Sequence, residues 1–254
     1  MSRGWFAVLL ALALAAALTF LTLPVAAIFV QQPPGDLVAA LGEEGALDAL
    51  WLSLRTTAAA VATILAVGTP AAYLMATRRF PGRAAVLTLI ELPLVLPPAV
   101  AGIALLAVAG NFDLPLPLTT AGVVVALTFV AAPFYLRQAI AAFEAVDPTL
   151  LDASRTLGAA PARTFARVAV PTALPGLVAG TALATGRALG EFGATLMFAG
   201  SFQGVTQTVP LAIYDRFSTD FTGALALSAV LVAVSAAILL AVKVVRGPDA
   251  LAAR

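Results

Sequence analysis

The residues best placed to do chemistry in this sequence are Arg187 and Glu191, which lie four positions apart in an apolar stretch. A charged side chain inside a membrane costs about 2.5–3.5 kcal/mol on insertion scales, so such residues pair or face protein or water. Four positions apart on a helix, the two side chains can form an ion pair. The pair either packs its helix against neighbours or acts in the gate of a polar path through the membrane. Gly190 and Gly193 flank Glu191 and are candidates for the same gate or for helix packing.

The longest charged segment, residues 143–171, predicts a short amphipathic helix. Asp147 is suited to cap a helix and Pro148 to occupy its first position, while Gly158 suits the left-handed turn after its end. One face would carry the apolar side chains and Ser154, and the other face the polar ones. The first face comprises Leu150, Leu151, Ser154 and Leu157, and the second Asp152, Arg155 and Thr156.

Pro161 predicts a second helix start, after which Arg163 and Arg167 share a basic face that leads to the membrane. Helices this short are marginal in isolation and need a surface to pack against. The segment could lie on the lipid surface or could dock onto another protein.

Composition excludes several classes of chemistry. The chain has no cysteine and no histidine. This excludes disulfides, thiol nucleophiles, His or Cys zinc sites and a His-based triad or proton relay. No convincing pair of carboxylates replaces them, so an intramembrane enzyme is disfavoured, and we expect no bound cofactor or metal.

The elements that must position these residues are membrane helices. Of the 254 residues, 61% are hydrophobic and only 11% are charged, which is far more apolar than a soluble domain. Six segments are long enough to cross a bilayer. They predict an all-α membrane protein with one transmembrane domain over residues 1–254 and helices at about 5–30, 51–77, 84–109, 120–142, 172–199 and 222–245, with 143–171 on the cytoplasmic side.

The first apolar run, from Trp5 to Val30, is longer than the apolar region of a signal peptide, so we predict a retained helix. Placing both termini in the cytoplasm puts most Lys and Arg residues there, as topology rules require. The cytoplasmic residues would be Arg3, Arg78, Arg79, Arg83, Arg137, Arg155, Arg163, Arg167, Lys243, Arg246 and Arg254. Acidic residues would be mainly outside: Asp36, Glu43, Glu44, Asp48, Asp113, Asp215 and Asp220.

Several residues inside the predicted spans call for a structural role. Pro93, Pro97 and Pro98 should interrupt the third helix and Pro133 the fourth, which frees carbonyl groups that must face protein or water. Glu91 is expected to cap or to pair. The glycine spacings Gly176/Gly180 and Gly186/Gly190 predict close helix packing, within the chain or between two copies.

The cytoplasmic segment resembles the EAA motif of ABC-importer permeases, which reads Glu-Ala-Ala, three residues, Gly, nine residues, Ile, one residue, Leu-Pro. Here the pattern is Asp152-Ala153-Ser154, Gly158, Val168 and Val170-Pro171, with substitutions of similar size and character. The resemblance implies the MetI-like type I fold and a coupling helix that sits in a cleft of the ATP-binding subunit. Asp152, Ala153, Ser154 and Gly158 would then belong to the joint, with Arg155, Arg163 and Arg167 as polar contacts.

The resemblance also implies partners. The chain lacks the G-x-x-x-x-G-K-[ST] phosphate loop, so two separate ATPase subunits would supply the energy and the chain would not be an enzyme. We find no internal repeat of half the chain length, so a second copy would complete a twelve-helix pathway. A periplasmic or lipid-anchored binding protein would deliver the substrate, and no nucleic acid is implied.

Two further runs are similar to molybdate ABC-transporter permeases: residues 187–195 followed by 206–214, and residues 92–102. The resemblance spans about residues 48–245 and implies import of molybdate, or of tungstate, which has the same charge and shape. A sulfate or thiosulfate permease is the alternative within the family. An ion-coupled secondary transporter or a channel is the alternative outside it, whereas a membrane scaffold leaves the motif spacing unexplained.

Overall fold

The computed structural model describes residues 3–31, 33, 35, 39, 42 and 45–245. Several residues that carry the predicted orientation lie outside the described residues, namely Asp36, Glu43, Glu44, Arg246 and Arg254. The sidedness of the termini therefore stays a prediction.

Helices and turns make up the described residues, and no strand occurs among them. The helices are α1 (Arg3–Gln31), α2 (Ala46–Thr77), α3 (Arg83–Val95), α4 (Pro98–Asn111), α5 (Thr120–Glu144), α6 (Pro148–Thr156), α7 (Pro161–Thr164), a π-helical turn (Phe165–Ala169), α8 (Val170–Leu189), α9 (Gly193–Ala199), α10 (Val209–Phe217) and α11 (Phe221–Val245). The all-helical fold is confirmed.

Five helical stretches within the described ranges are long and apolar enough to cross a membrane on their own. They are Trp5–Val30, Ala46–Thr77, Thr120–Glu144, Pro161–Leu189 and Phe221–Ala241. Helices α3 and α4 pass the same test only as a pair bent by 116° at their junction, so the described residues contain five spans, or six if this pair counts as one.

The third and fifth segments are both interrupted. The third leaves the α-helix at Leu96 and Pro97, as predicted from Pro97 and Pro98, whereas the prediction for Pro93 is wrong because α3 continues through it. The fifth is interrupted between Leu189 and Gly193. The fifth span also begins at Pro161, about ten residues before its predicted start at residue 172. The end of the predicted cytoplasmic segment therefore belongs to this span. The 200–221 segment contains α10, a helix that the sequence analysis missed.

Proline alone does not break these helices. Pro133 was predicted to interrupt its span, but α5 continues through it from Thr120 to Glu144. The break at Leu96 and Pro97 has a specific cause, since each of these two residues precedes a proline. The residue before proline is forced away from the α region, and both residues are extended, with ψ of 132° and 135°.

The core is built around α5, which packs between α2 and α8. Small residues allow this close approach. A Cβ at Gly176 would overlap the Ala142 side chain, and one at Gly180 would lie 3.1 Å from Gln138 Cβ. The Gly176/Gly180 spacing therefore packs α8 against α5 within the chain, which is one of the two alternatives predicted for it. A Cβ at Gly186, in contrast, would have no atom of the described residues within 4 Å.

Apolar side chains cover much of the outer surface. The α1 span has none of its hydrophobic window buried within the chain, and Leu12, Leu14 and Phe20 are all exposed. A surface of this kind requires lipid or another transmembrane helix around it.

Candidate coupling surface and gate

The fifth span is interrupted by Gly190, Glu191 and Phe192, which lie between α8 and α9. Glu191 bridges the interruption. Its Oε2 lies 2.5 Å from Arg187 Nη2 on α8, and its Oε1 accepts a hydrogen bond of 2.7 Å from the Ala194 backbone N–H on α9. The predicted Arg187–Glu191 ion pair is thus confirmed, and one carboxylate ties two helix segments together.

Glu191 is buried, with 1% of its side chain exposed, while 25% of the Arg187 side chain is exposed. The Oε2 contact is an ion pair without regular hydrogen-bond geometry. A buried carboxylate is tolerated only when it is paired, so the two side chains depend on each other.

The interruption of the fifth span lies against that of the third. A Cβ at Gly193 would lie 3.0 Å from Pro98 Cβ, so the start of α9 touches the start of α4. The two helices remain in contact along their length, and Ala101, Ala109, Ala194 and Phe198 are buried there together with Ala126 and Val130 of α5. Two broken spans therefore form one packed unit, which we term the broken-helix joint (Gly190–Ala199 with Leu96–Asn111).

Gly102 makes the joint possible, because a Cβ there would lie 2.7 Å from both Ala194 O and Met197 Cβ. We expect Gly102→Ala to lower the thermal stability of the protein by about 1–3 kcal/mol through overpacking. Gly110→Ala on the same helix is the matched control, since it meets nothing within 4 Å and should be neutral or slightly stabilising. Equal melting temperatures for the two variants would contradict this packing.

The cytoplasmic segment begins as predicted. Asp147 caps α6 by accepting a 2.9 Å hydrogen bond from the Thr149 N–H, with Pro148 at the first position. This backbone hydrogen bond lowers the pKa of Asp147. Because the folded pKa is lowered, the carboxylate stabilises the helix above its unfolded pKa, and this contribution is lost as the pH falls through the folded pKa. At neutral pH the cap is fully charged.

Polar contacts fix α6 relative to the next turn. Ser154 Oγ lies 3.0 Å from Thr164 Oγ1, which ties α6 to α7. Arg155 Nη1 donates a 3.0 Å hydrogen bond to Asp152 Oδ1 on the same helix. Asp152 of the predicted joint and Arg155, a predicted polar contact, therefore pair with each other. Both line a cleft of about 290 Å³ between α6 and the ends of α2 and α5.

The leucines predicted to share one face of α6 divide into two groups. Leu151 is buried and anchors the helix in the core. Leu150 and Leu157 are exposed, and 87% of the Leu157 side chain is accessible. Leu157 is the C-cap residue, at which α6 ends. Leu157 was named only as a helix-face residue, and its protrusion was not predicted.

These leucines border a groove of about 440 Å³ that also contains predicted polar contacts. We call it the coupling groove; its lining residues are Leu150, Ala153, Ser154, Leu157, Ala159, Arg163, Arg167 and Val168. Arginine is enriched in protein interfaces, and contiguous exposed apolar surface marks an interaction site, so the groove is a candidate protein-binding surface. Ala153, Ser154, Arg163 and Arg167 are thus brought together, whereas Asp152 and Arg155 line the other cleft.

Gly158 ends α6 in the left-handed conformation, with φ +81° and no atom within 4 Å of a Cβ among the described residues. Any effect of a substitution there is backbone strain rather than a clash. We expect Gly158→Val to cost about 1–2 kcal/mol in the turn and to reduce substrate-stimulated ATPase activity. Gly158→Asn should retain most of the activity because Asn tolerates this conformation. Indistinguishable activities of the two variants would argue against the turn's role.

The opposite end of the molecule carries a polar loop. Asp215 on α10 accepts hydrogen bonds from Ser201 Oγ at 2.8 Å and from Gln207 Nε2 at 2.5 Å. The Val209 N–H donates to Ser53 Oγ at 2.8 Å, which fixes α10 onto α2. A polar cleft of about 200 Å³ opens between these elements.

Two ion pairs join α3 to α5. Arg83 Nη2 lies 2.5 Å from Glu144 Oε1, and Arg137 Nε lies 3.3 Å from Glu91 Oε1. The expectation that Glu91 pairs is confirmed. Arg137, which the topology prediction counted as cytoplasmic, lies within the α5 span. Within the described ranges, no group of three or more Asp or Glu residues could hold a metal ion.

Residues 68–247 match the sequence profile of a family described as binding-protein-dependent transport system inner membrane component. The Mycobacterium tuberculosis molybdenum transport system permease protein ModB is 40% identical over 237 residues, covering 89% of this chain and 90% of that protein. The Synechocystis sulfate transport system permease protein CysW is 32% identical over 248 residues, covering 92% of this chain and 90% of that protein.

Solved structures share the fold at lower identity. A structure of the MetNI methionine ABC transporter in an inward-facing conformation matches with a TM-score of 0.65 and 20% identity, over 79% of this chain and 94% of the matched chain. A bacterial alginate ABC transporter in complex with an alginate-bound periplasmic protein matches with a TM-score of 0.70 and 16% identity, over 94% of this chain and 93% of the matched chain.

Proposed function

Since the chain belongs to the family of binding-protein-dependent transport system inner membrane components, and is a multi-pass membrane permease with the MetI-like fold, we propose that it imports molybdate or tungstate. Import is driven by ATP hydrolysis in separate subunits. The chain itself performs no catalysis and requires no cofactor.

The coupling groove is the observation that supports this proposal most directly. It combines exposed leucines with Arg163 and Arg167, on a segment that Asp147, Leu151 and Ser154 fix to the core. A partner that moves this rigid segment therefore moves the spans attached to it. In this proposal that partner is the ATP-binding subunit, with one copy for each of two permease chains, because the segment resembles the EAA motif; the sequence itself has no phosphate-binding loop.

The oxyanion assignment rests on sequence. Relatives named for molybdenum transport are 36–40% identical to this chain, and residues 187–195 and 206–214 resemble molybdate permeases. A sulfate-transport relative at 32% identity makes sulfate or thiosulfate the second candidate. Molybdate, tungstate, sulfate and thiosulfate are all tetrahedral anions, so one permease fold can accommodate any of them.

Transport follows alternating access in this proposal. A periplasmic or lipid-anchored binding protein delivers the oxyanion to the outer polar loop. The path across the membrane runs between two permease copies. The broken-helix joint is the gate, because its two breaks meet at Gly193 and Pro98 and can rotate as one unit. In this proposal the gate residues either keep the joint in one position or let it move. They are Arg187, Gly190, Glu191 and Gly193.

Uptake into proteoliposomes tests the energy source. We expect reconstituted permease, ATPase and binding protein to accumulate labelled molybdate only with ATP on the ATPase side, and ionophores should leave uptake unchanged. Uptake by the permease chain alone, driven by an ion gradient, would identify a secondary transporter instead.

A further inference from the structure

The Glu91–Arg137 ion pair occupies an unusual position. The two side chains keep 44% and 62% of their surface exposed, yet both lie inside spans that cross the membrane. The second ion pair between these helices, Arg83–Glu144, is at the ends of the same two helices. It marks the membrane edge from which depth can be measured.

Arg137 lies seven residues before Glu144, which is about 10 Å along the helix axis, and Glu91 lies eight residues after Arg83, about 12 Å. The Cα–Cβ bond of a helical residue tilts toward the helix N-terminus. The Arg137 side chain therefore leans away from the nearer membrane edge, which opposes snorkelling to that edge. Lipid cannot surround an exposed charge pair at this depth without a large penalty.

The face of α5 that carries Arg137 changes character along its length. Pro133, Val130 and Ala126, which follow on this face at helical spacing, are all buried, and the last two pack against α9 and α4. Ala141, one turn in the other direction, is exposed. Arg137 thus lies directly beneath the broken-helix joint, on a face that is uncovered toward the membrane edge.

Helix α3 has two flanks beside this face. Thr88 and Glu91 share one flank, which the exposed Leu92 and Val95 continue toward the joint, whereas Val86, Leu89 and Pro93 share the other. Thr88 and Leu89 are both exposed. The Thr88 hydroxyl donates a 3.0 Å hydrogen bond to Ala84 O on its own helix. The two residues lie at one depth on different flanks of α3, so together they can report which flank faces water.

We propose that Arg137 and Glu91 line a water-filled inner vestibule, closed above by the broken-helix joint, through which the oxyanion leaves toward the coupling side. This inference rests on the proposed function. The contact with Glu91 is through Arg137 Nε, and a guanidinium carries five N–H donors, so Arg137 has donors enough to contact a tetrahedral oxyanion as well. Glu91 offsets part of the attraction, which keeps binding weak enough for release.

Cysteine labelling tests the water-filled surface, because the chain contains no native cysteine. Thr88→Cys retains the ion pair and Leu89→Cys is its control at the same depth. In the complex with its ATPase, with and without ATP, we expect an impermeant anionic methanethiosulfonate added on the coupling side to modify Thr88→Cys at least about tenfold faster, because a charged reagent is excluded from lipid. A rate at Thr88→Cys that does not exceed that at Leu89→Cys in either state overturns the vestibule.

Uptake measurements test the arginine itself. We expect Arg137→Gln to reduce ATP-driven molybdate uptake about tenfold, the effect of losing one charge-assisted contact, and Arg137→Lys to restore part of it. Arg83→Gln, which removes the other α3–α5 ion pair, should stay within about twofold of the parent. Equal losses in Arg137→Gln and Arg83→Gln would assign Arg137 a merely structural role.

The labelling result does not depend on the transported ion. If the complex imports molybdate but Thr88→Cys is not labelled preferentially, the vestibule is wrong and the proposed function stands. If no oxyanion is transported by the parent complex, the proposed function fails whatever the labelling shows.

Discussion

Leu157→Asp is expected to abolish oxyanion-stimulated ATPase activity and uptake while the permease still inserts into the membrane. Leu157 is 87% exposed at the rim of the coupling groove, so the chain itself gains little from it. An exposed leucine at a binding surface acts through burial in the partner, and a charge there would be buried without a counter-ion. Leu157→Ala should weaken association with the ATPase subunit about 30-fold, which corresponds to about 2 kcal/mol.

Co-purification of the ATPase subunit with each variant measures this effect. Leu114→Asp is a suitable control, since Leu114 is also an exposed leucine but lies in the loop on the opposite side of the membrane from α6. It should retain the ATPase at the parent level. If Leu157→Asp also retained the ATPase and its stimulated activity, the coupling groove would not be the docking surface.

Arg187→Ala is expected to be the most damaging single substitution at the broken-helix joint. It would leave the Glu191 carboxylate buried without its counter-ion, and breaking a buried ion pair in this way costs about 3–5 kcal/mol. Glu191→Gln should be milder, because an amide oxygen can still accept the Ala194 N–H and Arg187 is partly exposed. Thermal unfolding in detergent and uptake in proteoliposomes measure stability and transport separately.

The double variant Arg187→Gln/Glu191→Gln separates the two roles of the pair. If the pair only packs the fifth span, the double variant should recover both stability and uptake. If the pair also acts in the gate, as we propose, stability should recover while uptake remains low. Full uptake in Arg187→Ala and Glu191→Ala, with normal insertion and assembly, would remove both residues from the path.

The number and positions of the spans could be predicted because length and hydropathy are local properties of the sequence. The predicted ranges 5–30 and 222–245 differ from the helices by few residues. The breaks were harder to predict, because their geometry depends on neighbours. Consecutive prolines at 97 and 98 force two extended residues and a bend of 116°, whereas Pro133 is accommodated within a helix that α2 and α8 enclose.

The candidate site was predictable to a similar extent. The Asp147 cap, the Gly158 turn and the Arg187–Glu191 pair follow from short-range spacing, and the structure confirms all three. The exposure of Leu157 could not be read from periodicity, since a helix face does not reveal which of its residues the core covers. The joint between α4 and α9 could not be predicted either, because it brings together residues that are about 90 positions apart in the sequence.

The most direct test of the whole account is the ATPase activity of the reconstituted complex of permease, ATPase and binding protein, measured with molybdate, tungstate and sulfate in turn. The account predicts that molybdate and tungstate stimulate hydrolysis strongly and that sulfate stimulates it weakly. Sulfate as the strongest activator would contradict the molybdate assignment, and hydrolysis that is independent of every oxyanion would contradict the importer itself.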